Sequence, residues 1–422
     1  MKVENFILRV LVGFNIATLI LYIFSPFTID SGYKFINVLF ISLNIFMINL
    51  GFKSGLKRTR LITQCAKPNT ISQRTFHYIL IFYILTFTLR YSYLLYTPPF
   101  NITALVNRIM IGVYDPQAGR LFDHGARTLP WVVYLFTSII DSIFFIIAFL
   151  KWKGCGRTIR YIIVLLVIFD LFFWRSTGTN FGTFMLLTSM LFSIFASNDK
   201  ATLNQNATLK YISIGLLGCF SLLFVFSVNM EGRAGGDFAA VDYYDLFEGC
   251  DVSIADNHVI YESLPYSMQV YLTLVFSYLT QGYMFLEYLY TLEFHWGGFF
   301  GNNPGLQSLA HDFLWFDPEV GSYQLQIEQF GVDHDTYWHS CYLWLANDFT
   351  IIGVPIIIFL ISQFCSSALV MYRRTNDLSS GIVFIVFATM LIFLFANNNY
   401  LSTVLYSFMF VFPYWLFKKY KR

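Results

Sequence analysis

The sequence predicts an all-α polytopic membrane protein with about ten transmembrane helices and one large outward-facing loop. Three observations carry that expectation. First, hydrophobic residues make up 56% of the 422-residue chain and charged residues only 12%, against about 25% charged in an ordinary soluble domain. So little polar surface cannot clothe a core in water, and lipid must be the solvent for much of the chain. Second, apolar runs long enough to cross a bilayer, about 20 residues, recur along the sequence. Third, Lys and Arg are distributed unevenly. None occurs from Ala234 to Tyr372, a stretch that holds sixteen Asp and Glu residues.

The spans are read from hydropathy in chain order. Apolar runs cover 6–24, 35–52, 75–95, 131–150, 211–229, 351–371, 380–396 and 400–417. The run from 160 to 197 breaks at Arg175–Asn180, RSTGTN, and is read as two short spans, 160–174 and 180–196. The N-terminal run resembles a signal sequence without a small-residue cleavage site, so it is expected to stay as the first helix. Basic residues then set the sides. Lys53, Lys57, Arg58, Arg60, Lys67 and Arg74 fall between the second and third spans, and Lys151, Lys153, Arg157 and Arg160 after the fourth. Arg373 and Arg374 follow the eighth span, and KKYKR closes the chain. With ten spans these all lie on one side, and both termini are cytoplasmic.

The basic-free stretch is expected outside as a loop over 230–350. Within it, 267–292 is apolar enough to resemble a further span. A single added span there would put KKYKR outside, so the segment is expected to be an amphipathic helix at the outer interface. A pair of added spans, with 338–350 as the second, keeps parity but places a long acidic loop in the cytoplasm. The whole of 1–422 reads as one integral membrane domain.

Net charge is only +2, which gives no electrostatic footprint for nucleic acid. The six cysteines have no metal-ligand or CxxC spacing. Cys250 and Cys341 can meet in an oxidising compartment, although buried free thiols are the favoured reading. Asp333-His334-Asp335 mimics a short DxD metal signature, but without an independent third ligand no metal and no cofactor is expected.

The candidate chemistry lies on the outer side. Arg90, Arg108, Arg120, Arg127, Arg175 and Arg233 sit there against the positive-inside rule. Arginine offers a planar fork of donors matched to phosphate oxygens. Arg90 and Arg175 lie within or between apolar helices, where charge is costly and usually functional. Arg233 precedes Gly235 and Gly236, which let backbone N–H groups approach an anion. His339 stands at the outer boundary, with Asp335 four residues earlier, in reach on a helix to orient the imidazole. Such a histidine can take a proton from an attacking hydroxyl. Asp348 is half a turn out of phase with His339, so the two share a cavity only across a broken helix, to which Gly353 and Pro355 contribute. Tyr243, Tyr244, Trp296, Trp315, Tyr337 and Trp338 supply aromatic faces for sugar rings or for an interfacial belt.

The run HSCYLWLANDFTIIG, His339 to Gly353, resembles the outer-loop-to-helix signature of the O-antigen polymerase and ligase superfamily. His339, Tyr342, Leu343, Asp348, Phe349, Ile351, Ile352 and Gly353 fall at matching spacings, with Ser340 in place of the usual Asn and Thr350 in place of the first Gly. The break RSTGTNFGTFMLL is similar to the link between short helices in the oligosaccharide repeat-unit polymerases. The likeness covers roughly 160–360 in layout. It implies a multi-helix, metal-independent, inverting glycosyltransferase in the bacterial inner membrane. Such an enzyme joins oligosaccharide units carried on undecaprenyl pyrophosphate into O-antigen or capsular polysaccharide. It implies that Arg233 and Arg175 hold the pyrophosphate, and that His339, oriented by Asp335, is a base or a phosphate contact. Arg90, Arg127, Tyr342 and Asp348 complete the expected substrate-binding set. A chain-length regulator is the protein partner it implies. The ligase of the same superfamily and a repeat-unit flippase are the alternatives. The flippase fits less well with one dominant loop.

A reporter fused after Asp312 is expected to report a non-cytoplasmic location. A cytoplasmic signal there would overturn the predicted sidedness.

Overall fold

The computed structural model describes residues 2–62, 72–94, 131–176, 181–197, 213, 246–247, 249–255, 257–334, 337, 339–396 and 399–420. The predicted spans near both ends of the chain are helical. They are α1 (Val3–Ile23), α2 (Lys34–Ile62), α3 (Gln73–Leu94), α4 (Trp131–Lys151), α5 (Arg157–Ser176) and α6 (Phe181–Ala196). Four helices follow within the stretch that lacks Lys and Arg: α7 (Val259–Ser263), α8 (Tyr266–Phe285), α9 (Pro304–Leu314) and α10 (Tyr323–Gln326). The last three are α11 (Cys341–Thr375), α12 (Leu378–Ile392) and α13 (Asn399–Tyr420). Among the described residues, five helices are long and apolar enough to cross a membrane: Val3–Ile23, Lys34–Thr59, Cys341–Thr375, Leu378–Phe395 and Tyr400–Tyr420. The span expected at 211–229 lies outside the described residues apart from Ser213.

The packing is that of an all-α membrane protein. Peripheral helices turn large apolar side chains outward at helical spacing: Phe35, Leu39, Leu43, Phe46 and Leu50 on α2 are all exposed. In water such a stripe would be a liability, but facing lipid it costs nothing. The amides go inward instead. Asn15, Asn37 and Asn44 are fully buried, and Asn15 Nδ2 donates to the Leu391 carbonyl at 2.8 Å, joining α1 to α12. α12 is buried on every side, as expected of the innermost helix of a bundle.

The closest helix pair is α2 with α11. Gly51 and Gly55 are four residues apart in GFKSG, the small-xxx-small spacing that lets backbones approach. A Cβ on Gly51 would come within 2.2 Å of the Phe359 carbonyl oxygen, and one on Gly55 within 2.1 Å of Ser366 Oγ. Ser362 Oγ donates to the Ile48 carbonyl at 2.7 Å across the same seam.

One end of the bundle collects basic residues. Arg373 at the end of α11 is 3.8 Å from Glu4 at the start of α1. Lys418 near the end of α13 pairs with Asp377, and Lys153 after α4 donates to the Ser197 carbonyl at 2.6 Å. Asp377 also caps α12, accepting from Ser380 N at 3.1 Å and from the Ser379 and Ser380 hydroxyls. Burial alone would raise its pKa, but the bonds from Lys418 and the two serines outweigh that and hold it below the usual carboxylate value. Its stabilising contribution is therefore full above the unfolded-state value and is lost as pH falls through the folded one.

The other end carries the segments that lack Lys and Arg. β1 (Phe27–Thr28), in the α1–α2 connection, pairs antiparallel with β2 (Ser253–Ile254). α8 runs along the outer end of α1, where Thr18 Oγ1 and Tyr283 Oη lie 3.2 Å apart. Gly282 abuts the Phe395 carbonyl, where a Cβ would come within 2.1 Å. The helix expected over 267–292 is thus α8 followed by a 3-10 turn over Leu286–Thr291. Cys250 and Cys341 are both free thiols.

Gly51→Val or Gly55→Val forces the α2–α11 seam apart and is expected to lower stability by about 1–3 kcal/mol or more. Thermal unfolding in detergent measures this. A wild-type melting temperature for both variants would refute the close packing.

Candidate functional site

The site is built on the first turns of α11, most of whose residues are buried. Ser340 caps the helix, its Oγ accepting from Leu343 N at 3.4 Å. His339 precedes it and is 2% exposed. The backbone of α8 presses against this point, since a Cβ on Gly282 would lie 2.8 Å from Ser340 N. Aromatic rings wall the imidazole. Phe285 stands 6.0 Å from it and 5.8 Å from Tyr337, which stacks on Phe247 at 5.6 Å. Among the described residues neither ring nitrogen of His339 has a hydrogen-bond partner. Burial, with His334 nearby as a second cause, lowers its pKa to about 3. The ring is therefore neutral at physiological pH. It has a lone pair to offer a proton and no charge to offer a phosphate.

Asp335, the expected orienting carboxylate, lies outside the described residues, as do Arg127 and Arg233. Arg90 is in the last turns of α3 and Arg175 in the last turn of α5, but their side chains are likewise outside the described set. The break after Arg175 is built locally. Trp174 Nε1 donates to Asp170 at 3.1 Å, and Gly182 lies on the Trp174 indole, where any Cβ would collide.

Tyr342 and Asp348 occupy positions of a different kind from those expected. Tyr342 is fully buried, 5.8 Å from Phe40 of α2 and 6.1 Å from Tyr283 of α8 by ring centroids. It packs the junction of three helices. Asp348 serves a loop. Its carboxylate accepts from the backbone N–H groups of Phe299 (3.0 Å), Gly301 (3.3 Å) and Asn302 (2.8 Å), and from the Asn302 amide. This is an anion nest filled by the protein's own carboxylate. Gly297 is required there, because its Cβ would sit 2.8 Å from Asp348 Oδ1. His339 is not among these partners.

The neighbouring Asn347 had no role in the sequence reading. Its Nδ2 donates to the Gly301 carbonyl at 2.9 Å and to Gln324 at 2.8 Å, while its Oδ1 accepts from Tyr323 N at 3.0 Å. The Asn-Asp pair thus holds two outer segments, 297–302 and 323–324, against α11. The legible signal was the glycine-rich HWGGFFGNN, whose backbone donors need an acceptor.

α11 breaks two residues later. Thr350 has φ 60° and ψ 165°, a region that is essentially glycine-only. The sequence placed the break nearer Gly353 and Pro355, but both of those remain in helix. The strain falls at the position where the resembled signature has glycine.

Two further polar clusters lie in the segments between α6 and α11 and where these meet α1 and α2. Glu287 is 2% exposed and accepts from Tyr22 Oη and Ser31 Oγ. Burial raises its pKa, offset in part by those two hydroxyls and Lys34. Asn37 Nδ2 donates to Tyr22 Oη at 3.0 Å and to the Tyr283 carbonyl at 2.7 Å. Sequence reading missed this cluster because its members are far apart in the chain. In the second cluster, the donor atoms of Glu328, Asp333 and His334 lie within 4.8 Å of one another. His334 Nδ1 meets Glu328, and its Nε2 is 3.3 Å from Glu319. Glu328 thus stands beside Asp333 and His334 as the third potential ligand that the sequence reading lacked, and it and Glu319 form ion pairs with the imidazole when His334 is protonated.

Thr350→Gly is expected to raise stability by about 1–3 kcal/mol by releasing the backbone strain. Asp348→Ala is expected to lower it by about 1–3 kcal/mol through the orphaned donors. Melting temperatures in detergent check both, and shifts of the opposite sign would contradict the geometry. Comparison with protein-family models, with curated proteins and with solved structures finds no match.

Proposed function

We propose that this chain is a lipid-linked oligosaccharide polymerase of the bacterial inner membrane. It has ten spans, both termini in the cytoplasm, and its 230–350 loop and site on the outer face. The observation that carries the reading is the segment His339–Gly353. It supplies a buried, neutral imidazole at the mouth of a long helix, and a glycine-type backbone at Thr350, where the resembled signature has glycine. The resemblance was drawn from residue types alone, and a backbone that suits glycine at the position where the signature has glycine supports it.

In the proposed reaction a sugar hydroxyl of a fresh lipid-linked unit attacks the anomeric carbon of the growing chain. The bond from that carbon to the undecaprenyl pyrophosphate oxygen breaks, with inversion. The hydroxyl proton passes to His339, and the electron pair leaves with the pyrophosphate. Arg233 and Arg175 are assigned to the leaving group, because preorganised cations aimed at developing charge are a large catalytic contribution. A neutral ring has no charge for a phosphate, and to act as the base it must have its basicity raised from a pKa of about 3, a task assigned to Asp335. Asp335 is assigned to orient it, and Arg90 and Arg127 to the donor's phosphates. Asp348 and Tyr342 act through the scaffold. No metal or cofactor takes part in this reading, and a chain-length regulator is its protein partner.

Deletion of the gene in its host, followed by gel analysis of surface polysaccharide, is expected to leave core plus a single repeat unit. Bare core with accumulated lipid-linked polymer would indicate a ligase, and bare core without outward polymer a flippase. On complementation, His339→Ala is expected to slow chain growth about 10²–10⁴-fold, and Arg233→Ala to abolish it, with both proteins still in the membrane. Normal ladders from both would sink the assigned roles.

A further inference from the structure

The outer region exposes an apolar ridge that the proposed reaction does not use. At its crest four consecutive residues are open: Phe313 (50% exposed), Leu314 (57%), Trp315 (95%) and Phe316 (41%), with Val320 beyond them. Runs of this kind are avoided on soluble surfaces unless they engage something. The ridge continues inward. Phe316 touches the Gly298 backbone region, Phe299 stands 5.3 Å from Trp296 and 6.0 Å from Phe349, and Trp296 and Phe299 are exposed. Ile352, next along α11, is 80% exposed and opens the helix's outward apolar stripe through Ile356 and Leu360. The ridge is thus continuous with the face that α11 turns to lipid.

Its depth is fixed by two contacts. α9 starts against α13, where Asn303 Oδ1 accepts from Ser402 Oγ at 3.0 Å and Gly305 abuts Leu405. These residues are in the first turns of a membrane-length helix. Asp348 holds the 299–302 loop just before Ile352. Both contacts put the ridge at the level where apolar spans begin, which is the water–lipid boundary.

Two of its aromatics hold left-handed backbone, Phe299 at φ 68° and Trp315 at φ 52°. Trp315 takes the helix C-cap position that glycine usually fills. Both rings are exposed. No Lys or Arg lies between Ala234 and Tyr372, so nothing there attracts anionic headgroups. Asp312, Asp317 and Glu319 flank the crest instead.

We infer that Phe313–Phe316, with Trp296 and Phe299, form an interfacial wedge that inserts into the outer leaflet, driven by apolar and aromatic burial rather than by charge. This does not depend on the chemistry assigned to His339. The test uses the full chain reconstituted in zwitterionic liposomes of phosphatidylcholine and phosphatidylethanolamine. Trp315→Cys carries a nitroxide, with Leu314→Cys as the alternative where Trp315→Cys fails to fold. Asp317→Cys is the water-facing reference, and the unsubstituted protein gives the background. Relative to position 317, the label at 315 is expected to be several-fold more accessible to oxygen than to a water-soluble nickel chelate, and adding anionic lipid should not increase that difference. Nickel accessibility equal to that at 317 would overturn the wedge. A label shielded from both reagents in a particle of doubled mass would assign the ridge to a second copy and overturn it equally.

Discussion

The loops between α8 and α11 hang on one helix that is broken and yet held on both sides of its break. α11 covers 35 residues with non-helical backbone at Thr350. The turns before the break carry Asn347 and Asp348, which hold 297–302 and 323–324, and His339 precedes them. Both parts rest on α2, the first through Tyr342 against Phe40 and the second through Gly51 and Gly55. Whatever is attached to the first turns is therefore anchored to the same helix as the rest of α11. The break at Thr350 marks the change from one role to the other. Before it, the backbone serves the loops; after it, the helix turns isoleucines to lipid.

The same division explains where polar atoms are buried. Inside the bundle, amides such as Asn15 bridge helices because a backbone carbonyl is the only partner that lipid leaves them. At the outer boundary, Glu287 is enclosed by hydroxyls of α1 and the α1–α2 turn and joins the 3-10 segment after α8 to both. At the basic end, Asp377 performs three tasks at once, capping α12, binding two serines and pairing with Lys418. Each such group sits where two or three segments must be held in fixed register.

Much of the helical layout was legible because hydropathy reports solvent, and lipid is a demanding solvent. The helices from α1 to α6 and from α11 to α13 lie where apolar runs placed them. Legibility fell wherever a residue's task depended on a distant partner. Nothing local distinguishes Asn347, whose partners are 301, 323 and 324, from any other asparagine. Asp348 read as substrate-facing because the resembled signature has an acidic residue there, yet the glycine loop whose N–H groups it accepts from is some fifty residues upstream. Gly51 and Gly55 fit the helix-packing spacing, but Gly51 stood in an apolar run already explained by the bilayer and Gly55 just past it, among basic residues read as a loop. The helix break went to Thr350, not to the glycine and proline beyond it, because backbone strain follows tertiary demand more than propensity. Of the candidate site, His339 lies just before the first turn of α11, buried and without a hydrogen-bond partner among the described residues.

The stretch without Lys or Arg has a consequence of another kind. From Ala234 to Tyr372 trypsin has no bond to cut, whatever the loops there do. The whole region that carries α7 to α10 and the start of α11 is thus inert to a protease that reads only basic residues. Digestion of intact membrane vesicles with trypsin consequently reports on the rest of the chain. A protease that reads acidic or aromatic residues addresses the outer region instead, and the two enzymes together map the protein's faces without any engineered tag.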